Sequence, residues 1–348
     1  MRVAKDVTVA QLSGYDDIID VRSPAEYAED HIPGAINAPV LSNEERARVG
    51  TIYVQESAFE AKKLGSALIS RNIAHHLETL FKDKPKGWKP LVYCWRGGQR
   101  SGAMAIVFAQ IGWQTSRLSG GYKAYRRHVM DELQRLPANF TFRVVCGATG
   151  SGKSRLLRVL HDQGAQVLDL EQLARHRGSL LGNLPNEPQP AQKMFDSLVW
   201  DALRGFDAKR PVFVEAESKK IGTVAVADAL LEAMRGAECI LLDAPLPARV
   251  KLLMEDYEHF LRDPDLLAQR LAPLVELHGH KVIEEWKALA EQCNWAALVE
   301  DLLTRHYDPA YRRSTAANFL RLKEALVLRP EALDEASLNQ AAMQCMRD

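Results

Sequence analysis

The chain has 348 residues, enough for two domains that each bury a core. Its 45 Lys plus Arg balance 45 Asp plus Glu, so bulk charge argues neither for nor against a nucleic-acid partner, and local clusters must decide. Five scattered cysteines with no Cys-x-x-Cys pair fit reduced thiols better than a disulfide framework or zinc site. No apolar run approaches the ~20 residues that span a bilayer, and the N-terminus has no secretory pattern. The expectation is a cytoplasmic protein that does not enter a membrane.

In chain order, short apolar runs at 17–21 and 90–94 read as strands, each followed by turn residues and a helical pattern. Residues 101–111 have helical periodicity and stop at Gly112, and 115–118 reads as a further strand closing on Gly120-Gly121. Pro137-Ala138-Asn139 is the best linker, because a new strand, 140–146, starts directly after it. A glycine-rich loop and a helix over 154–161 follow, then strands at 166–170, 211–215 and 238–243 separated by helical stretches. That alternation predicts a parallel sheet with helices on both faces. From Pro247 onward the chain reads as almost wholly helical, its Leu, Trp and Ala stripe being core packing. The boundaries are 1–136, 137–246 and 247–348, the last packed on the second.

Two loops carry chemistry. Cys94 ends an apolar strand ahead of a helix and is followed by Trp95-Arg96-Gly97-Gly98-Gln99-Arg100-Ser101. Loop amides and a helix N-terminus favour negative charge, so this cysteine is expected to be substantially thiolate. The glycines let N–H groups turn inward, and Arg96 and Arg100 supply cations for a tetrahedral anion. A buried core cysteine is the bland alternative, and the crowding of glycine and arginine argues against it. Cys-x-x-Gly-x-x-Arg-Ser also fits a cysteine phosphatase loop, so pattern alone leaves two chemistries open.

The second loop, Gly147-Ala148-Thr149-Gly150-Ser151-Gly152-Lys153-Ser154, is a full Walker A pattern between strand and helix. Its amides bind phosphate, Lys153 neutralises charge, and Ser154 can hold magnesium. Downstream, Asp169, Glu171, Glu215, Glu217 and Asp243 fall at strand ends, where acids either organise a cation or water or merely cap helices. Ser218 follows the same strand, and Arg175-His176-Arg177-Gly178-Ser179 is a compact basic segment suited to a ligand or RNA, or else a solvated helix end.

The segment Asp20-Val21-Arg22-Ser23-Pro24-Ala25-Glu26-Tyr27 with His31-Ile32-Pro33-Gly34-Ala35-Ile36-Asn37 closely resembles the entry signature of rhodanese domains, which tips the cysteine toward sulfur or selenium transfer. A departure is Glu29-Asp30, where many rhodaneses have glycine before the histidine. Together with Asn43-Glu44-Glu45-Arg46-Ala47, Gly120-Gly121-Tyr122-Lys123-Ala124, the Walker A loop, Asp169-Leu170-Glu171, Glu217-Ser218 and Tyr307-Asp308-Pro309, the order of segments resembles the bacterial tRNA 2-selenouridine synthases over nearly the whole chain.

The resemblance implies an α/β protein: a rhodanese-like domain, a P-loop NTPase-like parallel-sheet domain and a helical C-terminal region. It implies a monomeric transferase acting on the wobble 2-thiouridine of the tRNAs for Lys, Glu and Gln. Geranyl diphosphate first alkylates the sulfur; selenophosphate then supplies selenium through an S-selanyl group on Cys94. No tightly bound cofactor is expected beyond possible use of Mg. RNA contacts are expected from Lys123, Arg126, Arg127 and His128, and from Arg305, Arg312, Arg313, Arg321 and Lys323, with Tyr307 and Tyr311 stacking on a base. The rival readings are a P-loop small-molecule kinase with an accessory rhodanese or phosphatase-like module, and a non-catalytic binding module.

Overall fold

A computed structural model describes residues 4–347. The chain forms two compact units. One comprises the chain up to Glu132 together with Ala191–Asp201; the other comprises Leu133–Pro190 and the chain from Ala202 onward.

In the first unit, strands β1 (Lys5–Val7), β2 (Asp17–Asp20), β3 (Ile36–Asn37), β4 (Pro90–Tyr93) and β5 (Ser116–Leu118) form a sheet in the order β1-β5-β4-β2-β3. Every pairing is parallel. Ile19, Val92, Met104, Phe108, Phe81 and Trp88 pack into its core. β4 is fully buried, which is why it reads as an unbroken apolar run. Cys94 leaves the end of this central strand, and the helix Gln99–Ile111 begins two residues earlier than its periodicity predicts. Gln99, Arg100 and Ser101 therefore form its first turn. Gly112, at φ 108°, ends the helix as expected.

In the second unit, β6 (Phe142–Cys146), β7 (Gln166–Leu168), β8 (Val212–Glu215), a small hairpin of β9 (Lys220–Ile221) with β10 (Val224–Ala225), β11 (Glu238–Leu242) and β12 (Leu326–Leu328) account for the strands. The main sheet runs β12-β11-β6-β8-β7 and is wholly parallel. β12 is a difference from the sequence reading, which makes the C-terminal region almost wholly helical and places no strand there. Three residues, Leu326-Val327-Leu328, are too few to show a period between helical neighbours, yet they add an edge strand beside β11.

Val145, Leu156, Phe213, Ile240 and Leu338 form the core between sheet and helices. A separate core of Phe260, Leu271, Ile283, Trp286 and Leu298 holds the C-terminal helices together. Among the described residues no helix is long and apolar enough to cross a membrane, and all five cysteines are free thiols.

Candidate active sites

The Cys94 loop is built by backbone packing. The helix Gly121–Arg135 starts beneath it, its Tyr122 N–H donating to the Cys94 carbonyl at 2.8 Å and its Lys123 N–H to the Trp95 carbonyl at 3.0 Å. Gly121 sits at φ 58°, and a Cβ there would lie 2.3 Å from the Cys94 oxygen and 2.4 Å from the Gly97 nitrogen. Neither backbone atom can move without distorting the loop. Gly121→Ala is therefore expected to cost about 3 kcal/mol or more, read as a lowered thermal midpoint of the purified protein. An unchanged midpoint would show that the loop yields.

Burial pushes the Cys94 thiol up. The Ser101 hydroxyl at 3.3 Å, the Ser101 N–H, the Arg100 charge and the Arg96 N–H oppose that and leave it below the ordinary thiol value. The residue is 4% exposed. Two N–H groups, a hydroxyl and a cation acting on one sulfur set it apart from a cysteine packed only by apolar side chains.

Arg100 departs from its expected task. Its guanidinium donates to Glu26 at 2.8 Å and acts on Cys94 through its charge. Burial raises the Glu26 carboxyl, but Arg100 and Arg46 more than offset that and hold it below the usual carboxylate range. The entry signature thus explains itself. Asp20 and Arg22 form a buried ion pair at 2.6 Å, Ser23 and Glu26 make a capping box, and Tyr27 stacks on His31 at 3.7 Å. Arg22 also lies over the Tyr122 ring at 4.0 Å, bracing the helix under the loop.

Asp30, the departure from the rhodanese pattern, accepts hydrogen bonds from the hydroxyls of Tyr122 at 2.7 Å and Ser197 at 2.8 Å. It joins the active-site scaffold to the segment Ala191–Asp201 within the first unit. Arg126 is a correction: it is ion-paired with Asp196 and donates to the Lys193 carbonyl at 3.0 Å, so it serves the fold rather than RNA. His128 packs edge-on against Trp200. Lys123 and Arg127 remain exposed on the same helix.

The second loop wraps the end of β6, with the helix Lys153–Asp162 pointing its N-terminus into it. Gly150 and Gly152 take φ 76° and 89°, and a Cβ at Gly147 would meet Ser151 Oγ at 2.4 Å. Lys153 Nζ donates to the Gly147 carbonyl at 2.9 Å, and the Gly147 N–H donates to Tyr311 at 2.6 Å. From outside, Arg249 donates to the Thr149 carbonyl at 2.9 and 2.8 Å and pairs with Asp308 at 2.6 Å. Arg249 is a loop-positioning residue that local motifs do not reveal.

The strand-end acids separate by role. Asp169 caps the short helix Leu170–Ala174 by accepting the Gln172 N–H, which is the bland reading, whereas Asp243 pairs with Arg329 at 3.2 Å and caps no helix. Glu171, Glu215 and Glu217 instead converge, offering oxygens within 4.8 Å of one another. Ser154 Oγ donates to Glu171 at 2.9 Å, and the Glu171 N–H donates to Glu215 at 3.0 Å. The second Glu215 oxygen is buried without a hydrogen-bond partner.

Burial, then the neighbouring carboxylates, push Glu215 well up, and burial together with the Glu171 charge lifts Glu217 to about 8. Three carboxylates beside the Walker serine with an orphaned oxygen fit a divalent cation, which would be held by Glu171, Glu215, Glu217 and Ser154.

The sign of the pH effect follows. A carboxyl raised from 4.5 to about 8 binds its proton more tightly in the fold, so stability falls as pH climbs through that window. Glu217→Gln is expected to raise the melting midpoint at pH 8.5 by about 5 °C, to change little at pH 5, and to remove stabilisation by added Mg. Equal shifts at both pH values would contradict this account.

The basic segment is also sorted by the structure. Arg175 is exposed at a left-handed helix end. His176 is 5% exposed and accepts the Gly178 N–H at 3.1 Å, which makes it a turn-former and corrects its reading as a ligand. Arg177 donates to the Asp256 carbonyl at 2.6 Å, lies over the Tyr257 ring at 4.8 Å and faces the cavity. A Cβ on Gly178 would sit 2.9 Å from Glu217 and 3.0 Å from Glu171, so this glycine closes over the acids. Ser218 lines the cavity, exposed, and donates to the Lys220 carbonyl at 2.6 Å.

A cavity of about 340 Å³ opens over the loop, lined by Thr149, Lys153, Ser154, Glu171, Arg177 and Glu217. It shares Thr149, Ser179, Leu253, Tyr257 and Tyr307 with a second, almost wholly apolar cavity running into the C-terminal helices. Phe260, Leu267, Trp295, Leu298 and Leu302 line that slot. Tyr307 lines both cavities and Tyr311 the one over the phosphate loop, so a base stacking on either would have to enter there. No local pattern announces this, because the helical stripe reads as ordinary core. Arg312 and Arg313 are exposed; Arg305 pairs with Glu285 and Asp301, and Arg321 with Glu238 and Glu324.

A thiolate loop on one parallel sheet and a phosphate cradle on another define a rhodanese-like unit joined to a P-loop unit. The rhodanese-like domain family matches residues 6–128, and the tRNA 2-selenouridine synthase AAA domain matches residues 140–266. The tRNA 2-selenouridine synthase of Alcanivorax borkumensis is 31% identical over 326 residues, 84% of this chain and 88% of that protein. That of Aeromonas salmonicida is 33% identical over 330 residues, covering 85% and 87%. The Nitrosomonas europaea protein of the same name is 36% identical over 258 residues, 73% of this chain, and the match spans 66% of that protein. The chain belongs to the tRNA 2-selenouridine synthase family.

Proposed function

We propose that the protein converts wobble 2-thiouridine in the tRNAs for Lys, Glu and Gln to 2-selenouridine in two steps, using geranyl diphosphate and then selenophosphate. The observation that carries this reading is the union of the phosphate cradle with the apolar slot inside the P-loop unit. A nucleotide presents a polar base and ribose beyond its phosphates. A prenyl diphosphate presents only hydrocarbon, which is what Phe260, Leu267 and Leu302 would accept.

In the first step the thiocarbonyl sulfur attacks C1 of the geranyl group. The C–O bond breaks and its electron pair leaves with diphosphate. Lys153 and the N–H groups of Gly147 to Ser154 stabilise that developing charge. A magnesium ion, when bound, would add charge neutralisation at the same oxygens.

Alkylation makes the sulfur a good leaving group. The Cys94 thiolate takes selenium from selenophosphate, the P–Se electron pair leaving on phosphorus. That selenium attacks C2 of the base and the C2–S bond breaks, the geranylthio group leaving as a thiolate; two equivalents of a low-molecular-weight thiol then cleave the Cys94 S–Se bond, giving 2-selenouridine, the free Cys94 thiol and a disulfide. The lowered thiol value and the Arg96 and Ser101 N–H groups acting on the sulfur support Cys94 as the carrier, with Arg100 acting through its charge. Lys123, Arg127, Arg312 and Arg313 are the exposed cations available to the tRNA backbone.

Mass spectrometry of nucleosides from 2-thiouridine tRNA incubated with each donor tests the reading. S-Geranyl-2-thiouridine with the first donor and 2-selenouridine after the second support it; no new nucleoside with either overturns it.

A further inference from the structure

The apolar slot has an end as well as a mouth. Its mouth is the set of residues shared with the phosphate cavity. On another side, Met254 and Leu261 line both the slot and a separate open groove, which is walled by Leu246, Pro247, Val250 and Lys251. The two side chains therefore stand between the apolar cavity and the groove. Both are half-buried, and neither hydrogen-bonds through its side chain.

We infer that Met254 and Leu261 are the stop that sets how long a hydrocarbon tail the protein accepts. The inference rests on the prenyl diphosphate reading and adds the residues that fix the chain length. The occupant is committed by position: the slot begins beside Thr149 in the phosphate loop, so a tail entering it is attached to a group the loop holds. Each buried methylene favours binding, so a tail gains affinity until it meets the stop, and a longer tail must displace it. Removing the stop joins the slot to the groove and gives the extra isoprene unit an apolar path. Methionine suits such a place, since its flexible side chain fills an irregular gap without rigid packing. Leu181, Trp295 and Leu298 line the slot without touching the groove, so shortening them would widen it but leave its end closed.

The test uses the full chain. Affinities for inorganic diphosphate and for the C5, C10 and C15 prenyl diphosphates are measured by calorimetry, beside transfer to 2-thiouridine tRNA. The wild type is expected to bind the C10 compound at least about tenfold more tightly than inorganic diphosphate, and to lose that gain with C15. Met254→Ala, alone or with Leu261→Ala, is expected to raise the C15 to C10 ratio of kcat/KM at least about tenfold. Ile106→Ala, at an exposed position on the helix Gln99–Ile111, leaves that ratio unchanged.

If the variants fold, as judged by melting, and the ratio does not move, the stop lies elsewhere and the inference is overturned. If the C10 compound binds no better than inorganic diphosphate, the slot takes no tail and the inference is likewise overturned. The two-step reading fails separately, when tRNA acquires no geranyl group from any concentration of donor.

Discussion

Cys94→Ser is expected to reduce 2-selenouridine formation at least about a thousandfold while leaving geranylation intact. With both donors present, S-geranyl-2-thiouridine should accumulate. Serine keeps the volume and a hydrogen-bonding partner for Ser101, so the loop is expected to stay folded and the melting midpoint to hold. What is lost is a sulfur nucleophile whose proton affinity the loop lowers. A hydroxyl in the same field has too high a proton affinity to be an anion at neutral pH, whatever Arg100 and the amides contribute. Selenium incorporation by the serine variant at an undiminished rate would show that the thiolate is not the carrier.

Lys153→Ala is the complementary case. It should lower geranylation by about two to three orders of magnitude, because the cation nearest the departing diphosphate is gone. The effect should fall on kcat as well as KM, since charge on the leaving oxygen develops only as the C–O bond breaks. Tethered to the Gly147 carbonyl at 2.9 Å, Lys153 also tempers Glu171 and Glu217. Its removal is expected to lift both carboxyls further. Given tRNA that already carries S-geranyl-2-thiouridine, the variant should still form 2-selenouridine. Loss of both steps would mean that the P-loop is needed for more than diphosphate release.

Much of this organisation was legible in the sequence, because it is local. Cys94 at the end of a buried strand, the Gly97-Gly98 turn and the Gly147–Ser154 loop each lie within one strand-turn-helix unit, where spacing determines geometry. The alternation of apolar runs with helical periods likewise predicts the parallel sheet of the second unit.

The parts that were not legible depend on contacts far apart in the chain. Arg100 reaches back 74 residues to Glu26. Asp30 meets Ser197 across 167 residues. Arg249 grips Thr149 from 100 residues away. No periodicity records such pairs. The apolar slot was hidden for a different reason: the residues lining a cavity carry the same helical stripe as those filling a core. The acids show what geometry adds to pattern, since Asp169 and Glu171 are two positions apart and yet one caps a helix while the other faces the cavity.

In the proposed sequence of steps, the Cys94 sulfur and the Gly147–Ser154 loop act in turn on one nucleobase. A time course of nucleosides by mass spectrometry tests it most directly, with 2-thiouridine tRNA, saturating selenophosphate and geranyl diphosphate supplied or withheld. S-Geranyl-2-thiouridine should rise first and decline as 2-selenouridine appears, and 2-selenouridine should stay at background when geranyl diphosphate is withheld. Formation of 2-selenouridine at the same rate without geranyl diphosphate would contradict that sequence.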